Sequence, residues 1–302
     1  MSTVKDWLSA FRLRTLPLAF SCIIMGSAVA YQKGFFKWNV FVLSILTALF
    51  LQILSNLAND YGDAKKGTDN ENRIGPLRAI QSGSITLIQM KKAIVIAVIL
   101  SFVSGLFLIL NAFNYQAFWN IVLFVLLGVL AILAALNYTV GKKAYGYNGL
   151  GDLSVFLFFG LIGVLGSFFL HAMNIDLSVL LPATSIGLLS VAVLNLNNLR
   201  DYSNDKACGK NTLVVKIGVE RAKKYHVIIL ISAVLCTAFY TFLNSGKIID
   251  FIFLIAFAPL FPHIKKVIKI EQANLLMVDA ELKKIAISTF LFSILFWISI
   301  LI

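Results

Sequence analysis

The sequence predicts an all-α membrane protein, with nine transmembrane helices in a single polytopic domain covering residues 1–302. Three observations lead there. Hydrophobic residues make up 59% of the chain and charged residues only 13%, against roughly 45–50% and 25% in soluble domains; mean hydropathy is +0.88. The apolar residues gather in nine unbroken runs, most of them close to the roughly 20 residues that a helix needs to cross a bilayer. Finally, all but three of the 26 Lys and Arg fall in segments that nine crossings would place on one side of the membrane, the exceptions being Lys33, Lys37 and Lys247.

Taken in order, the runs are 15–32, 39–58, 92–111, 118–138, 153–172, 177–198, 226–243, 248–262 and 285–302. The first follows the basic stretch Arg12-Leu13-Arg14 and is long enough to remain as a span rather than a cleaved leader. The second closes on an Asn/Asp cluster, and the third begins after Lys91-Lys92. The short loops 112–117 and 173–176 join spans three to four and five to six, which makes those pairs antiparallel neighbours. The fifth starts after a glycine-rich loop, at Asp152, which reads as a helix cap. The sixth ends on a second Asn/Asp cluster. The eighth is the shortest and closes on Pro259 and Pro262. The ninth follows Lys283-Lys284. Helix is the only state that lets unbroken apolar runs satisfy their own backbone in lipid. The charge asymmetry follows the positive-inside rule, puts the N-terminus in the cytoplasm and argues against a nucleic-acid face.

Cys22, Cys208 and Cys236 are too scattered for a disulfide framework or a zinc site. His171, His226 and His263 sit near predicted span ends and read as interfacial polar residues. Lys223 and Lys224 read as topology or headgroup contacts.

The chemistry lies in two clusters at matching span ends on the basic side. The first is Asn59-Asp60-Tyr61-Gly62-Asp63, followed by Asp69; the second is Asn197-Asn198-Leu199-Arg200-Asp201, followed by Asp205. Their placement after spans two and six hints at a weak internal duplication. If each helix continues through its cluster, Asn59 and Asp63, Asn56 and Asp60, and Asn197, Asp201 and Asp205 fall on shared faces at four-residue spacing. Grouped carboxylate and amide oxygens suit Mg²⁺, which takes one or two protein carboxylates and leaves its other positions to water and phosphate oxygens. Carboxylates at a span end are costly to desolvate and mark function. Within the polar segments, Arg78 and Lys210 read as diphosphate ligands, while Asn70 and Glu71 read as solvated. Gly75-Pro76 and Ser82-Gly83 mark turns that would fold the first polar loop back over the site. The third loop carries Tyr138, Tyr145 and Tyr147; an interfacial belt and an aromatic-substrate pocket are both open readings.

The segments NLANDYGDAKKGTDNENRIGPLRAIQSG from Asn56 and NNLRDYSNDKACGKNTLVVKIG from Asn197 resemble the two acidic motifs of the UbiA superfamily of intramembrane prenyltransferases. The details YGYNGLGD and Arg12-Leu13-Arg14-Thr15-Leu16-Pro17 are similar to its 1,4-dihydroxy-2-naphthoate branch, although Asp152 stands where that branch often has Glu, and Lys143-Ala144 where Pro often precedes YGY. The resemblance implies nine helices around a central cavity with a lateral opening to lipid, in a bacterial inner membrane. It implies Mg²⁺-dependent transfer of a polyprenyl group from polyprenyl diphosphate to 1,4-dihydroxy-2-naphthoate, with release of diphosphate and CO2, to give demethylmenaquinone. Asp60, Asp63, Asp201 and Asp205 would then be catalytic. Asn59, Asp69 and those four carboxylates would hold the metal. Asn59, Arg78, Tyr138, Lys142, Tyr145, Asn197, Asn198 and Lys210 would bind substrate. The alternatives are another acceptor, such as 4-hydroxybenzoate, a porphyrin or a lipid glycerol, and an ion-coupled transporter that uses the carboxylates as a cation path.

Overall fold

In a computed structural model, residues 2–71, 77–141, 144–245 and 247–302 are described. Among them, nine helices are long and apolar enough to span a membrane: Val4–Gln32, Trp38–Lys66, Leu87–Phe113, Phe118–Asn137, Gly151–Ala172, Leu177–Arg200, Val219–Asn244, Ile248–Lys269 and Asn274–Leu301. These are spans one to nine, and the chain is a multi-pass membrane protein. Spans two to four pack on one another, and spans five to nine form a second group. Span one touches both groups through spans two, five, six and nine.

The helix ends depart from the apolar runs in instructive ways. Span one opens with a short helix, Val4–Phe11, held by a capping box between Thr3 and Asp6. The chain then turns through Arg12 in the left-handed region (φ 50°) before the membrane helix Leu16–Gln32. Span two continues two turns past its apolar run to Lys66 and stops at Gly67 (φ 72°). Span three starts early because Thr86 and Gln89 form a second capping box.

Span seven starts at Val219 rather than 226. Its basic first turns carry a buried face of Val219, Ala222, Lys223 and His226. Lys223 is not a headgroup contact: its Nζ donates to the carbonyls of Ile268 and Ile270 at 3.2 and 2.9 Å, satisfying acceptors at the end of span eight. Span eight does not end at its prolines. A 3-10 segment, Ile248–Phe257, gives way at Pro259 to the helix Leu260–Lys269. Proline in a first helical turn loses no intrahelical bond, so these prolines begin a helix instead of closing one.

Span five is irregular. Residues Phe156–Leu165 form a π-helix between α-helical ends. Across the bundle, the histidines are buried rather than interfacial. His171 bonds Ser27 at 3.0 Å and accepts from the Lys37 amide. His226 meets His263 at 2.8 Å, and His263 meets Glu281 at 2.8 Å, joining spans seven, eight and nine. Asp152 does not cap its helix either. It is buried and bonded by Tyr225 of span seven.

Candidate active site

The two packing groups and span one enclose a cavity of about 1240 Å³. At one end it is polar and reaches Asp63, Asp69, Asp201, Asp205 and Lys210. Toward the other it is lined by Ile23, Leu108, Phe124 and Phe169, and it extends to Asn174 and Asp176. Spans four and five make at most marginal contact among the described residues. Helix packing therefore does not close the wall between them.

Asn59, Asp63, Asp69, Arg78, Tyr138, Tyr145, Asn197, Asn198, Asp201, Asp205 and Lys210 all line this cavity. Asp60 does not. On span two it points away from the Asn59–Asp63 face, is 1% exposed, and is ion-paired with Arg12. Arg78 Nε stands 3.5 Å from the same oxygen. Asp60 holds two arginines and does not share the face of Asn59, its neighbour on the helix; its pairing with Arg12 and Arg78 keeps it out of the cavity that Asp63 lines. Lys142, Arg73 and the Gly75-Pro76 turn lie outside the described residues.

The two motifs converge on one lysine. Lys210 Nζ lies 3.9 Å from Asp63 and 3.6 Å from Asp205. Asn204 donates to the Thr68 carbonyl at 2.9 Å, tying the second motif to the end of span two. Burial alone would favour loss of the Lys210 proton, but Asp63 and Asp205 outweigh it and hold the ammonium charged. Burial pushes Asp205 up to about 7, with Lys210 opposing and Asp201 and Asp63 adding to the rise. Asp205 Oδ2 is buried with no hydrogen-bond partner among the described residues. Crowded carboxylates with an unsatisfied inward oxygen favour further cation binding.

Arg200 organises the second motif. It is 1% exposed and donates to both oxygens of Asp201 at 2.9 and 2.7 Å, and to Asn197 at 2.8 Å. Its third arm reaches Asp279 of span nine at 2.5 Å. In the first motif Tyr147 has the comparable role. Its hydroxyl donates to Asp63 at 2.7 Å and meets the Thr68 hydroxyl at 2.6 Å. Lys66 and Lys210 lie over its ring at 3.9 and 5.3 Å. Burial, reinforced by Asp63, raises the Tyr147 pKa and keeps the phenol a donor.

Tyr138 and Tyr145 pack edge to face at 5.3 Å. Tyr145 donates to the Ala134 carbonyl at 2.8 Å and meets the Ser154 hydroxyl at 3.0 Å. These tyrosines are part of the cavity wall and not an interfacial belt. Asn70, read as solvated, instead bonds the Gly67 carbonyl and Cys208 and accepts from Gln81, whereas Glu71 is exposed.

Gly62 is needed where span two meets the third loop. A Cβ there would lie 2.7 Å from the carbonyl carbon of Thr139. That close approach lets Thr139 Oγ1 donate to the Ala58 carbonyl and to Asn59 at 3.0 and 3.3 Å. Arg12, Tyr147, Arg200 and Asp279 have organising roles that motif reading missed. The first three stand in quoted segments, but nothing in the local sequence marks Asp279.

Among the described residues, nine membrane-spanning helices and two acidic motifs surround one cavity, an intramembrane helical bundle with an acidic site. Residues 19–275 match the UbiA prenyltransferase family, and the chain belongs to it. It is 48% identical over 260 residues to the 1,4-dihydroxy-2-naphthoate octaprenyltransferase of Escherichia coli (strain K12), covering 86% of this chain and 83% of that one. It is 46% identical to the enzyme of the same name from Haemophilus influenzae (strain ATCC 51907 / DSM 11121 / KW20 / Rd), over 86% and 84% of the two chains. Among solved structures, digeranylgeranylglyceryl phosphate synthase aligns with a TM-score of 0.60 at 20% identity, over 96% and 97% of the chains. A UbiA homolog from Archaeoglobus fulgidus bound to DMAPP and Mg²⁺ aligns at 0.58 and 16%, over 98% and 99%. These structural likenesses show the shared fold.

Proposed function

We infer that the chain is a prenyltransferase of menaquinone synthesis, moving a polyprenyl group from polyprenyl diphosphate to 1,4-dihydroxy-2-naphthoate. The observation that carries this reading is the convergence of Asp63 and Asp205 on Lys210 at the head of a long apolar cavity. The identity of 46–48% to two naphthoate octaprenyltransferases supports the acceptor.

The residues fit Mg²⁺. All donors are hard oxygens, and Asp205 Oδ2 is buried without a hydrogen-bond partner among the described residues. No three carboxylates, histidines or cysteines among the described residues form a preassembled cage. Mg²⁺ needs none, because it uses few protein ligands and completes its shell with phosphate oxygens and water. Asn59, Asp63, Asp69, Asp201 and Asp205 would hold it. When bound, it supplies charge that offsets the negative charge developing on the departing diphosphate.

The chain's own residues do the rest. Lys210 and Arg78 bind diphosphate oxygens, with Lys142 as a further cation in the same role. Asp60 keeps Arg12 and Arg78 in place, and Arg200 fixes Asn197 and Asp201. The apolar wall keeps water from the allylic cation left by C–O cleavage. Tyr138 and Tyr145 shape the space in which the electron-rich naphthoate ring attacks that cation. Loss of the ring carboxylate as CO2 leaves the prenylated naphthalenediol, the reduced form of demethylmenaquinone. Residues 1–302 act as one domain, and the charge asymmetry supports a cytoplasmic N-terminus and site in a bacterial cell membrane.

Purified protein in lipid, given a labelled prenyl diphosphate and Mg²⁺, is expected to prenylate 1,4-dihydroxy-2-naphthoate in preference to 4-hydroxybenzoate, read by mass spectrometry. Preference for 4-hydroxybenzoate, or cation flux without prenyl transfer, would overturn the assignment.

A further inference from the structure

The cavity runs far beyond the residues that grip the head of the donor, and two glycines on its wall have room to spare. Gly128 lies midway along span four and Gly166 follows the π-helical part of span five. Both line the cavity, and a Cβ built on either meets no atom of a packing neighbour within 4 Å among the described residues. Other glycines in these helices are close-packed. A Cβ on Gly160 would lie 2.7 Å from the Ala183 carbonyl oxygen, and one on Gly163 would lie 2.8 Å from Cys22 Sγ. Gly128 and Gly166 therefore do not serve helix–helix packing; they keep the passage wide.

Their depth gives that width a meaning. At 1.5 Å per residue, Gly128 lies about 15 Å along span four from Tyr138 at the polar end. Along span five, Gly166 is well past Ser154, the partner of Tyr145. Only the distal part of a long donor reaches that depth. The two helices are also the pair between which packing leaves the wall open.

We propose that Gly128 and Gly166 set the length of isoprenoid donor that the enzyme accepts, by leaving open the passage for the distal units of the tail. The proposal rests on the prenyltransferase reading and concerns specificity, not the chemical step. A bulky side chain at either position would obstruct a long tail and leave a short one untouched.

The test is a donor series on Gly128→Phe and Gly166→Phe in lipid, from geranyl to octaprenyl diphosphate, with the same acceptor. With geranyl diphosphate, kcat/KM is expected within about twofold of the parent; with octaprenyl diphosphate it falls by about tenfold or more. The geranyl arm shows that each variant is folded and chemically competent. Leu130→Phe, on the exposed face of span four and off the cavity, is expected to show no dependence on donor length. Equal losses for short and long donors, or undiminished octaprenyl transfer in both glycine variants, would overturn the proposal. If the parent protein transfers neither group, the functional reading fails first, and the series separates the two failures.

Discussion

The two acidic motifs occupy matching span ends but are built in opposite ways. The first lies on an unbroken helix that runs to Lys66, and its partners arrive from distant parts of the chain: Arg12, Arg78, Tyr147 and Lys210. The second lies across a helix break. Span six ends at Arg200, Asp201 sits at the junction with φ −90° and ψ 6°, and a short helix, Tyr202–Ala207, carries Asp205. Its main partner, Arg200, is the neighbouring residue. Backbone bonds from Asp201 to the Asn197 carbonyl and from Asp205 to the Asp201 carbonyl keep the four-residue rhythm through the break. One motif is assembled by tertiary contacts and the other largely by itself, although one lysine serves both.

The strongest way to break this comparison is to remove a carboxylate from each side. Asp63→Ala and Asp201→Ala are each expected to lower prenyl transfer by about 10²–10³-fold or more, while the protein still inserts. A variant that retained full Mg²⁺-dependent turnover would remove its carboxylate from the metal role.

Removing the arginine of each motif should then separate them by stability. Arg200→Ala removes the guanidinium that Asp201 and Asp279 share, and losing one partner of a buried ion pair costs about 3–5 kcal/mol. Arg12→Ala leaves Asp60 with Arg78, so the loss of Tm should be smaller. Equal shifts in Tm for the two variants would contradict the contrast. Arg200→Lys should restore only part of the loss, because one ammonium with three N–H donors cannot reproduce the four bonds of the planar guanidinium.

Tyr147→Phe tests the remote assembly of the first motif. It removes a hydrogen bond to a carboxylate, an interaction worth about 1.5–3 kcal/mol. The Mg²⁺ concentration needed for half-maximal binding of a prenyl diphosphate is expected to rise by about tenfold, with a loss of Tm smaller than that of Arg200→Ala. An unchanged titration would make Tyr147 a wall residue only.

Gly62→Ala and Gly209→Ala are expected to have smaller effects, read by thermal unfolding. The first forces span two away from Thr139 and should cost about 1–3 kcal/mol. The second places a side chain at φ +69° beyond the short helix of the second motif, at about 1 kcal/mol. A larger loss at Gly209 than at Gly62 would reverse the view that the first motif depends more on distant packing.

The membrane character, the number of spans and the two motifs were legible because each depends on short-range properties. Length and hydropathy define a span, and four-residue spacing defines a helix face. Charge misled where packing overrode it. Lys223 and Lys224 made the start of span seven look like loop, yet Lys223 folds back onto carbonyls at the end of span eight. The histidines looked interfacial because polar groups near span ends usually are, but His226, His263 and Glu281 satisfy one another in the interior. Asp60 was indistinguishable from Asp63 by type and neighbourhood; which of the two is taken up by arginines and which lines the cavity depends on where Arg12 and Arg78 pack.

By itself, then, the sequence determined that the chain crosses the membrane as helices and that two oxygen-rich clusters meet the same bilayer face, because desolvation and hydrogen-bond satisfaction act residue by residue. Tertiary structure alone decided which carboxylates look into the cavity, that Asp279 anchors Arg200 across the bundle, and that Gly128 and Gly166 border open space. Those outcomes depend on how helices far apart in the chain pack, and no local pattern records that.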